Sequence, residues 1–119
     1  YGYANVSHNE LIRFANMIDE YLTHPKIKIA VLLLDIRRVP NQDDLLMYQY
    51  FRSINTKTLI ILTKADKLSN NQRVKQINLI KKSLPNIMNE EIITYSTKTK
   101  ENQDKIWSVL ETSLEVKYE

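Results

Sequence analysis

The sequence predicts an α/β fold in which parallel strands are joined by helices that pack on the faces of the sheet. Three short apolar runs rich in β-branched residues alternate with longer segments whose apolar residues recur at helical spacing. The resulting order, α-β-α-β-α-β-α, is typical of a parallel sheet with crossover helices. With 119 residues the chain suits one domain or part of one and is too short for two.

The first helix and the first strand are predicted in the N-terminal third. Ser7 and Glu10 have the spacing of a capping box, and helical apolar spacing then continues until Pro25, which a helix cannot extend through. Ile27 to Leu34 is a nearly unbroken apolar run. Such a run predicts a strand that is buried on both faces of its sheet.

A second helix and a second strand follow. Asn41 begins a helix that runs to about Asn55, and Asp43 and Asp44 in its first turn favour a cap, although they could also hold a metal. Thr58 to Leu62 then forms a short buried strand.

The C-terminal half repeats the alternation. Ser69 with Gln72 offers another capping box, for a helix that is stopped by Pro85. Ile92 to Tyr95 is the third strand, and a final amphipathic helix begins at about Glu101. If the strands lie in sequence order, right-handed crossovers place the second and third helices on one face, and the last helix covers the other face only in part. The edge of the first strand is then unpaired, so we expect further strands before it.

Composition excludes several classes of site. Average usage of roughly 7% would give about eight glycines, but Gly2 is the only one, so no glycine-rich phosphate loop can be built from these residues. The absence of cysteine excludes disulfides, thiolate zinc sites and thiol nucleophiles, and no apolar run is long enough to span a membrane. A net charge of +3 permits contact with nucleic acid without arguing for it.

Polar segments follow all three predicted strands, and ligands of open parallel sheets bind beyond such carboxyl ends. The segments are Asp35 to Pro40, Thr63 to Asp66, and Ser96 to Lys98. The carboxylate of Asp66 can accept hydrogen bonds from both N1–H and the exocyclic amine of guanine, whereas adenine has no matching pair of donors.

The neighbouring residues suit the same base. The stem of Lys64 can lie along an aromatic ring, a backbone N–H near Ser96 or Thr97 could reach the guanine carbonyl, and Lys98 could cover the other face. The Thr-Lys-x-Asp string could also be a chance feature of a non-catalytic α/β interaction module. His8 and His24 are interpreted as surface residues, and the pairs Arg37-Arg38 and Lys81-Lys82 as solvated residues or RNA contacts.

These motifs resemble those of a known family. Thr63 to Asp66 looks like the fourth motif of Ras-like GTPases, and Tyr95 to Lys98 resembles the fifth. Tyr1 to Ser7, Met17 to Leu22 and Asp35 to Pro40 narrow the resemblance to the C-terminal part of the YihA/YsxC (EngB) family. The likeness runs from Tyr1 to about Leu114.

The resemblance implies the C-terminal part of a Ras-like P-loop GTPase fold, with three parallel strands and about four helices, formed by residues 1–119 as one portion of a single domain. The implied guanine-binding residues are Thr63, Lys64, Ala65, Asp66, Tyr95, Ser96, Thr97 and Lys98. Walker A, switch I and Asp-x-Pro-Gly motifs are absent from this chain, so the ligands of the expected Mg²⁺ lie outside it.

The resemblance also implies a function. The intact protein would be a cytoplasmic GTPase switch in assembly of the large ribosomal subunit, needed for normal growth and division, with GTP or GDP as ligand. The subunit or its rRNA would be the partner, with no membrane or DNA involved. Two positions depart from the general pattern: Thr63 replaces an asparagine, as it does in this family, and Arg38 stands where a histidine is expected. Tyr1 occupies the position of the water-orienting glutamine, so no catalytic residue is assigned.

Overall fold

A computed structural model describes Ile12, Arg13, Asn16 and residues 29–115, except for the side chains of residues 114 and 115. The predicted N-terminal helix lies outside the described residues, apart from those first three, which are helical. His8 and His24 also lie outside them.

The described chain alternates strands and helices, as predicted. The strands are β1 (Ala30–Asp35), β2 (Thr58–Thr63) and β3 (Ile92–Thr94). The helices are α1 (Gln42–Ser53), α2 (Asn70–Ser83) and α3 (Gln103–Glu115), with short 3-10 turns at Ala65–Lys67 and Asn89–Glu91. The predicted number of about four helices includes the N-terminal one, so the described part holds three.

Two helices begin at the predicted caps. The side chain of Asn41 accepts from the backbone N of Asp44 at 2.8 Å, and the Asp44 carboxylate accepts in return from the backbone N of Asn41 at 2.9 Å. Ser69 and Gln72 form the same reciprocal pair at the start of α2. Each pair satisfies two donors that a helix start leaves without an intrahelical partner. Asp44 is therefore part of a cap, and the described residues contain no group of three acidic, histidine or cysteine side chains that could hold a metal.

The sheet is parallel throughout, and its spatial order is β1-β2-β3, which confirms the predicted architecture. Asp35 lies opposite Thr63, and Leu62 lies opposite Thr94. Because the three strands end in register, the segments that follow them leave from the same edge of the sheet.

The main core lies on one face of the sheet. Leu32, Leu34, Ile60 and Leu62 pack there with Tyr48 of α1 and Ile80 of α2. Both crossover helices therefore cover this face, as right-handed connections require.

The opposite face is covered only over β2 and β3. Ile61 and Ile93 are buried there and pack with Ile106 and Val109 of α3. Val31 and Leu33 on β1 are 40% and 62% exposed. The prediction that the first strand is buried on both faces is wrong for the described structure, because Val31 and Leu33 remain exposed on this face. Among the described residues β1 also pairs only with β2.

The final helix starts at Gln103, two residues later than predicted. The chain turns just before it, since Lys100 and Asn102 have φ angles of 61° and 60° in the left-handed region. No helix among the described residues is long and apolar enough to cross a membrane.

Candidate functional site

Three loops meet at the carboxyl edge of the sheet. We call them the β1 loop (residues 36–41), the β2 loop (residues 64–69) and the β3 loop (residues 95–102). The backbone N of Ile36 donates to the carbonyl of Thr63 at 3.0 Å, and the backbone N of Ala65 donates to the carbonyl of Tyr95 at 3.0 Å. These bonds extend the hydrogen-bond pattern between the strands into the loops. The base of each loop is therefore fixed to the neighbouring strand end or loop.

The β2 loop reverses direction sharply. Lys64 has φ 59° and ψ 33°, a left-handed conformation that costs a residue with a side chain about 1–2 kcal/mol. The 3-10 turn Ala65–Lys67 follows at once, closed by a bond of 3.0 Å from the N of Lys67 to the carbonyl of Lys64. Ala65 is completely buried, which favours a small side chain at this position. The turn directs Asp66 toward the β3 loop.

The side chain of Ser96 joins the two loops. Its Oγ donates to Oδ1 of Asp66 at 2.8 Å and accepts from the backbone N of Lys98 at 3.1 Å and of Thr99 at 3.2 Å. Ser96 is fully buried. A hydroxyl that accepts from amides two and three residues ahead forms a serine turn, which shapes the β3 loop while it holds the carboxylate.

The role of the Ser96 hydroxyl was missed by sequence reasoning, which considered only a backbone amide near this residue. A serine followed by a polar turn is the local signal for such a motif. Its bond to Asp66 spans 30 residues and has no local signal.

Asp66 is held in its ionised form. The hydrogen bond from Ser96 lowers the pKa of Asp66, and the positive charges of Lys67 and Lys98 act in the same direction. A carboxylate can accept about four hydrogen bonds, and the side chain is partly exposed, so it has capacity to accept donors from a ligand.

The two lysines assigned to base stacking are both exposed. Lys64 Nζ lies 3.9 Å from Oδ2 of Asp35, and Lys98 is on the surface of the β3 loop. Their alkyl stems are therefore accessible to a planar ring. Thr97 is also exposed.

The remaining three predicted residues support the loops. Thr63 Oγ1 donates to the carbonyl of Leu34 at 3.3 Å and so links β2 to β1. The carbonyl of Tyr95 accepts from Ala65, and the Tyr95 side chain packs with the cluster beneath α3. All eight predicted residues thus lie in the two neighbouring loops or at the strand end beside them.

An ion pair joins the last residue of β1 to the β1 loop. Oδ1 of Asp35 accepts from the backbone N and Nε of Arg37 at 2.9 and 3.0 Å, and Oδ2 accepts from Nη2 at 2.8 Å. These bonds lower the pKa of Asp35 from 3.8 to about 2. Arg37 is thus held by Asp35, although both Arg37 and Arg38 are exposed to solvent.

A groove of about 460 Å³ runs from the β2 and β3 loops along the sheet face that α3 covers only in part. It is lined by residues of both loops, by the sheet and by α3: among them are Leu33, Ile61, Lys64, Thr97 and Trp107. Trp107, the only tryptophan of the chain, is 56% exposed at this groove.

Comparisons with known proteins agree with this architecture. No model of a protein family matches the chain. Among solved structures it is similar to a probable GTP-binding protein engB, with a TM-score of 0.72 and 19% identity over 97% of this chain and 74% of that one. It is also similar to translation elongation factor SelB from Methanococcus maripaludis in its apo form, with a TM-score of 0.67 and 20% identity over 95% of this chain and 24% of that one.

At these identities the likeness shows the fold. The described α/β structure matches part of a Ras-like P-loop GTPase fold, so the predicted fold is confirmed, and the predicted resemblance to the EngB family is supported at the level of the fold. The chain spans about a quarter of the SelB chain and about three quarters of the engB chain.

Proposed function

We propose that this chain carries the base-recognition part of a guanine-nucleotide-binding protein. The observation that supports this most is the Asp66 carboxylate, which Ser96 holds at 2.8 Å between two loops at the ligand-binding edge of the sheet. An ionised carboxylate accepts two donors side by side, and guanine presents them as N1–H and the 2-amine. Adenine offers no such pair, so its binding would leave the carboxylate without these two donors from the base.

The other site residues have separate roles in this proposal. Lys64 and Lys98 cover the two faces of the base with their alkyl stems. The amides of Lys98 and Thr99 already donate to the hydroxyl of Ser96. The guanine carbonyl would therefore accept a hydrogen bond from the backbone amide of Ser96 or Thr97. Ala65 and Tyr95 hold the two loops together through their backbone bond, and Thr63 links β2 to β1, so these three residues support the loops rather than contact the base.

For the intact protein we propose a GTPase of the EngB type that hydrolyses GTP to GDP and phosphate and acts as a switch in assembly of the large ribosomal subunit. Mg²⁺ would supply charge stabilisation at the phosphates, through ligands that lie outside this chain. The residues of this chain bind and select the base, and none is assigned a catalytic role. A cytoplasmic location and a requirement in growth and division belong to the same proposal.

The ribosomal part of the proposal has its own test. Depletion of the protein in cells should lower the amount of mature large subunits in a sucrose gradient and accumulate lighter precursor particles. If Arg37 and Arg38 contact rRNA, changing both to alanine should reduce the salt dependence of binding to such particles, because fewer counterions are released. If the salt dependence of binding is unchanged, neither arginine contacts rRNA.

Nucleotide binding tests the base site directly. The full-length protein should bind GDP more tightly than ADP, and Asp66→Ala should reduce that preference by about tenfold or more. Asp104→Ala, which removes an exposed carboxylate from the first turn of α3, is the matched control and should leave the preference unchanged. A wild-type protein that does not distinguish GDP from ADP would instead favour a non-catalytic interaction module with a chance Thr-Lys-x-Asp string.

A further inference from the structure

A second connection lies behind the β2 and β3 loops and joins α2 to the β3 loop. Arg73 in the first turns of α2 donates from Nη1 to Oε2 of Glu101 and from Nη2 to Oε1, each at 2.9 Å. The two residues are 28 positions apart in sequence. A planar guanidinium that meets both oxygens of a carboxylate fixes orientation as well as distance.

The pair is largely shielded from water. The side chains of Arg73 and Glu101 are 23% and 24% exposed, and Nε of Arg73 is buried without a hydrogen-bond partner among the described residues. Loss of one partner would leave the other charge mostly buried and uncompensated, which is more costly than loss of an exposed pair.

Glu101 also closes the β3 loop at its base. Oε2 of Glu101 accepts from Oγ1 of Thr94 at 2.9 Å, and Nδ2 of Asn102 donates to the carbonyl and Oγ1 of Thr94 at 2.8 and 3.0 Å. Thr94 is the last residue of β3, so both ends of the loop are tied to one point.

This closure holds a backbone that is otherwise unfavourable. Lys100 and Asn102 both have left-handed φ angles, and neither is glycine. Such conformations persist when surrounding contacts determine them. The loop between Thr94 and Glu101 is the one whose Ser96 hydroxyl holds Asp66.

We propose that Arg73 and Glu101 are positioning residues for base recognition, which hold the β3 loop so that Ser96 can orient Asp66. The inference rests on the proposed guanine site and adds two residues that do not touch the base. Arg73 lies on the helix that directly follows the β2 loop. The ion pair therefore fixes the β2 and β3 loops relative to each other from behind, while the bond between Asp66 and Ser96 joins them at the site.

Hydrogen exchange of the β3 loop measures the positioning without any nucleotide. In the full-length protein, Glu101→Ala and Arg73→Ala should each make the amides of Lys98 and Thr99 exchange at least about tenfold faster, because those amides donate to Ser96 only in the ordered loop. The reversed pair, Arg73→Glu with Glu101→Arg, should restore much of the protection.

The matched control is a second ion pair at the amino end of β3. Arg52 Nη2 and Glu91 Oε1 lie 2.9 Å apart, remote in the fold from the carboxyl edge. Glu91→Ala should destabilise the protein without faster exchange at Lys98 and Thr99. An equal effect in Glu91→Ala, or unchanged exchange in Glu101→Ala, would overturn the inference.

The ratio of GDP to IDP affinity then tests recognition, since inosine lacks the 2-amine that Asp66 is proposed to bind. Glu101→Ala should lower this ratio by about threefold to tenfold relative to wild type, and the reversed pair should recover it. If the wild type prefers GDP over IDP and Glu101→Ala leaves that ratio unchanged, a positioning role is contradicted. A wild type that does not prefer GDP over ADP would refute the proposed function instead, and the exchange rates would still decide whether the pair holds the loop.

Discussion

The hydroxyl of Ser96 donates a 2.8 Å hydrogen bond to Oδ1 of Asp66 and so connects two loops whose residues lie 30 positions apart in sequence. The same oxygen accepts two backbone amides of its own loop. Ser96 therefore determines both the shape of the β3 loop and the orientation of the carboxylate that is proposed to read guanine. Its removal should affect folding and recognition together.

Ser96→Ala should reduce the free energy of unfolding by about 1–3 kcal/mol, because two amides and a carboxylate lose a buried partner. It should also weaken the preference for GDP over ADP. Urea denaturation and nucleotide titration measure the two effects. Ser83→Ala, which removes a bond within α2 to the carbonyl of Leu79, should change stability by less than about 0.5 kcal/mol. Equal effects of the two substitutions would contradict this account of Ser96.

Acid should release the ion pair between Asp35 and Arg37 at an unusually low pH. The folded-state pKa of Asp35 is about 2, below its ordinary 3.8, because Arg37 donates to the carboxylate. Because the pKa of Asp35 is lower in the folded state than in the unfolded state, the stabilisation of the fold by its pair with Arg37 is complete above about pH 4. That stabilisation is lost as the pH falls toward 2. Arg37→Ala should return the pKa toward 3.8, as measured by the carbon chemical shift of the carboxyl group. A carboxyl that titrates near 3.8 in the wild type would be inconsistent with the pair.

Tyr48→Phe should destabilise the fold without affecting the base site. The buried Tyr48 hydroxyl donates to the carbonyl of Pro85 at 2.7 Å and accepts from Nε of Arg52 at 2.9 Å. Its loss leaves both partners unsatisfied, and we expect the free energy of unfolding to fall by about 1–3 kcal/mol. The preference for GDP over ADP should be unchanged. A change in that preference would show that the contacts of Tyr48 with Pro85 and Arg52 are coupled to the β2 and β3 loops.

The two faces of β1 should respond differently to substitution in the 119-residue chain. Leu32 is buried against the helices, and Leu33 is 62% exposed on the other face. Leu32→Ala should cost about 2–5 kcal/mol in urea denaturation, whereas Leu33→Ser should cost less than about 0.5 kcal/mol. Because exposed apolar surface promotes association, Leu33→Ser should also reduce self-association in sedimentation velocity. Comparable destabilisation by both substitutions would mean that the exposed face is buried in solution.

Local signals predicted much of the described fold. The caps at Asn41 and Ser69 and the three apolar strands could be identified because each depends on residues within a few positions of one another. The alternation of strands and helices predicted a parallel sheet, and the order of its strands, which the sequence leaves open, is β1-β2-β3 in the structure. Partial cover of the second face was predicted, but the exposure of Leu33 in particular was not, since an apolar strand gives no information about which neighbouring segment covers it.

The candidate site could likewise be predicted only in part. Asp66 and the lysines beside it could be named from their position after a strand, because parallel strands place their carboxyl ends together. The ion pair between Arg73 and Glu101 could not be predicted, since each residue alone is typical of a solvated helix or loop. Only the packing of α2 beside the β3 loop brings the two side chains together.

If the Asp66 carboxylate selects guanine, a single substitution at this position should change the preferred base. Asparagine at position 66 keeps one acceptor but replaces the other with an amide donor, which matches the N1–H and the 2-carbonyl of xanthine. Affinities of GDP and XDP should be measured for the full-length wild type and for Asp66→Asn. The account predicts that the wild type prefers GDP and that the variant prefers XDP. A variant that keeps the wild-type preference for GDP would contradict the role of Asp66 and, with it, the proposed site.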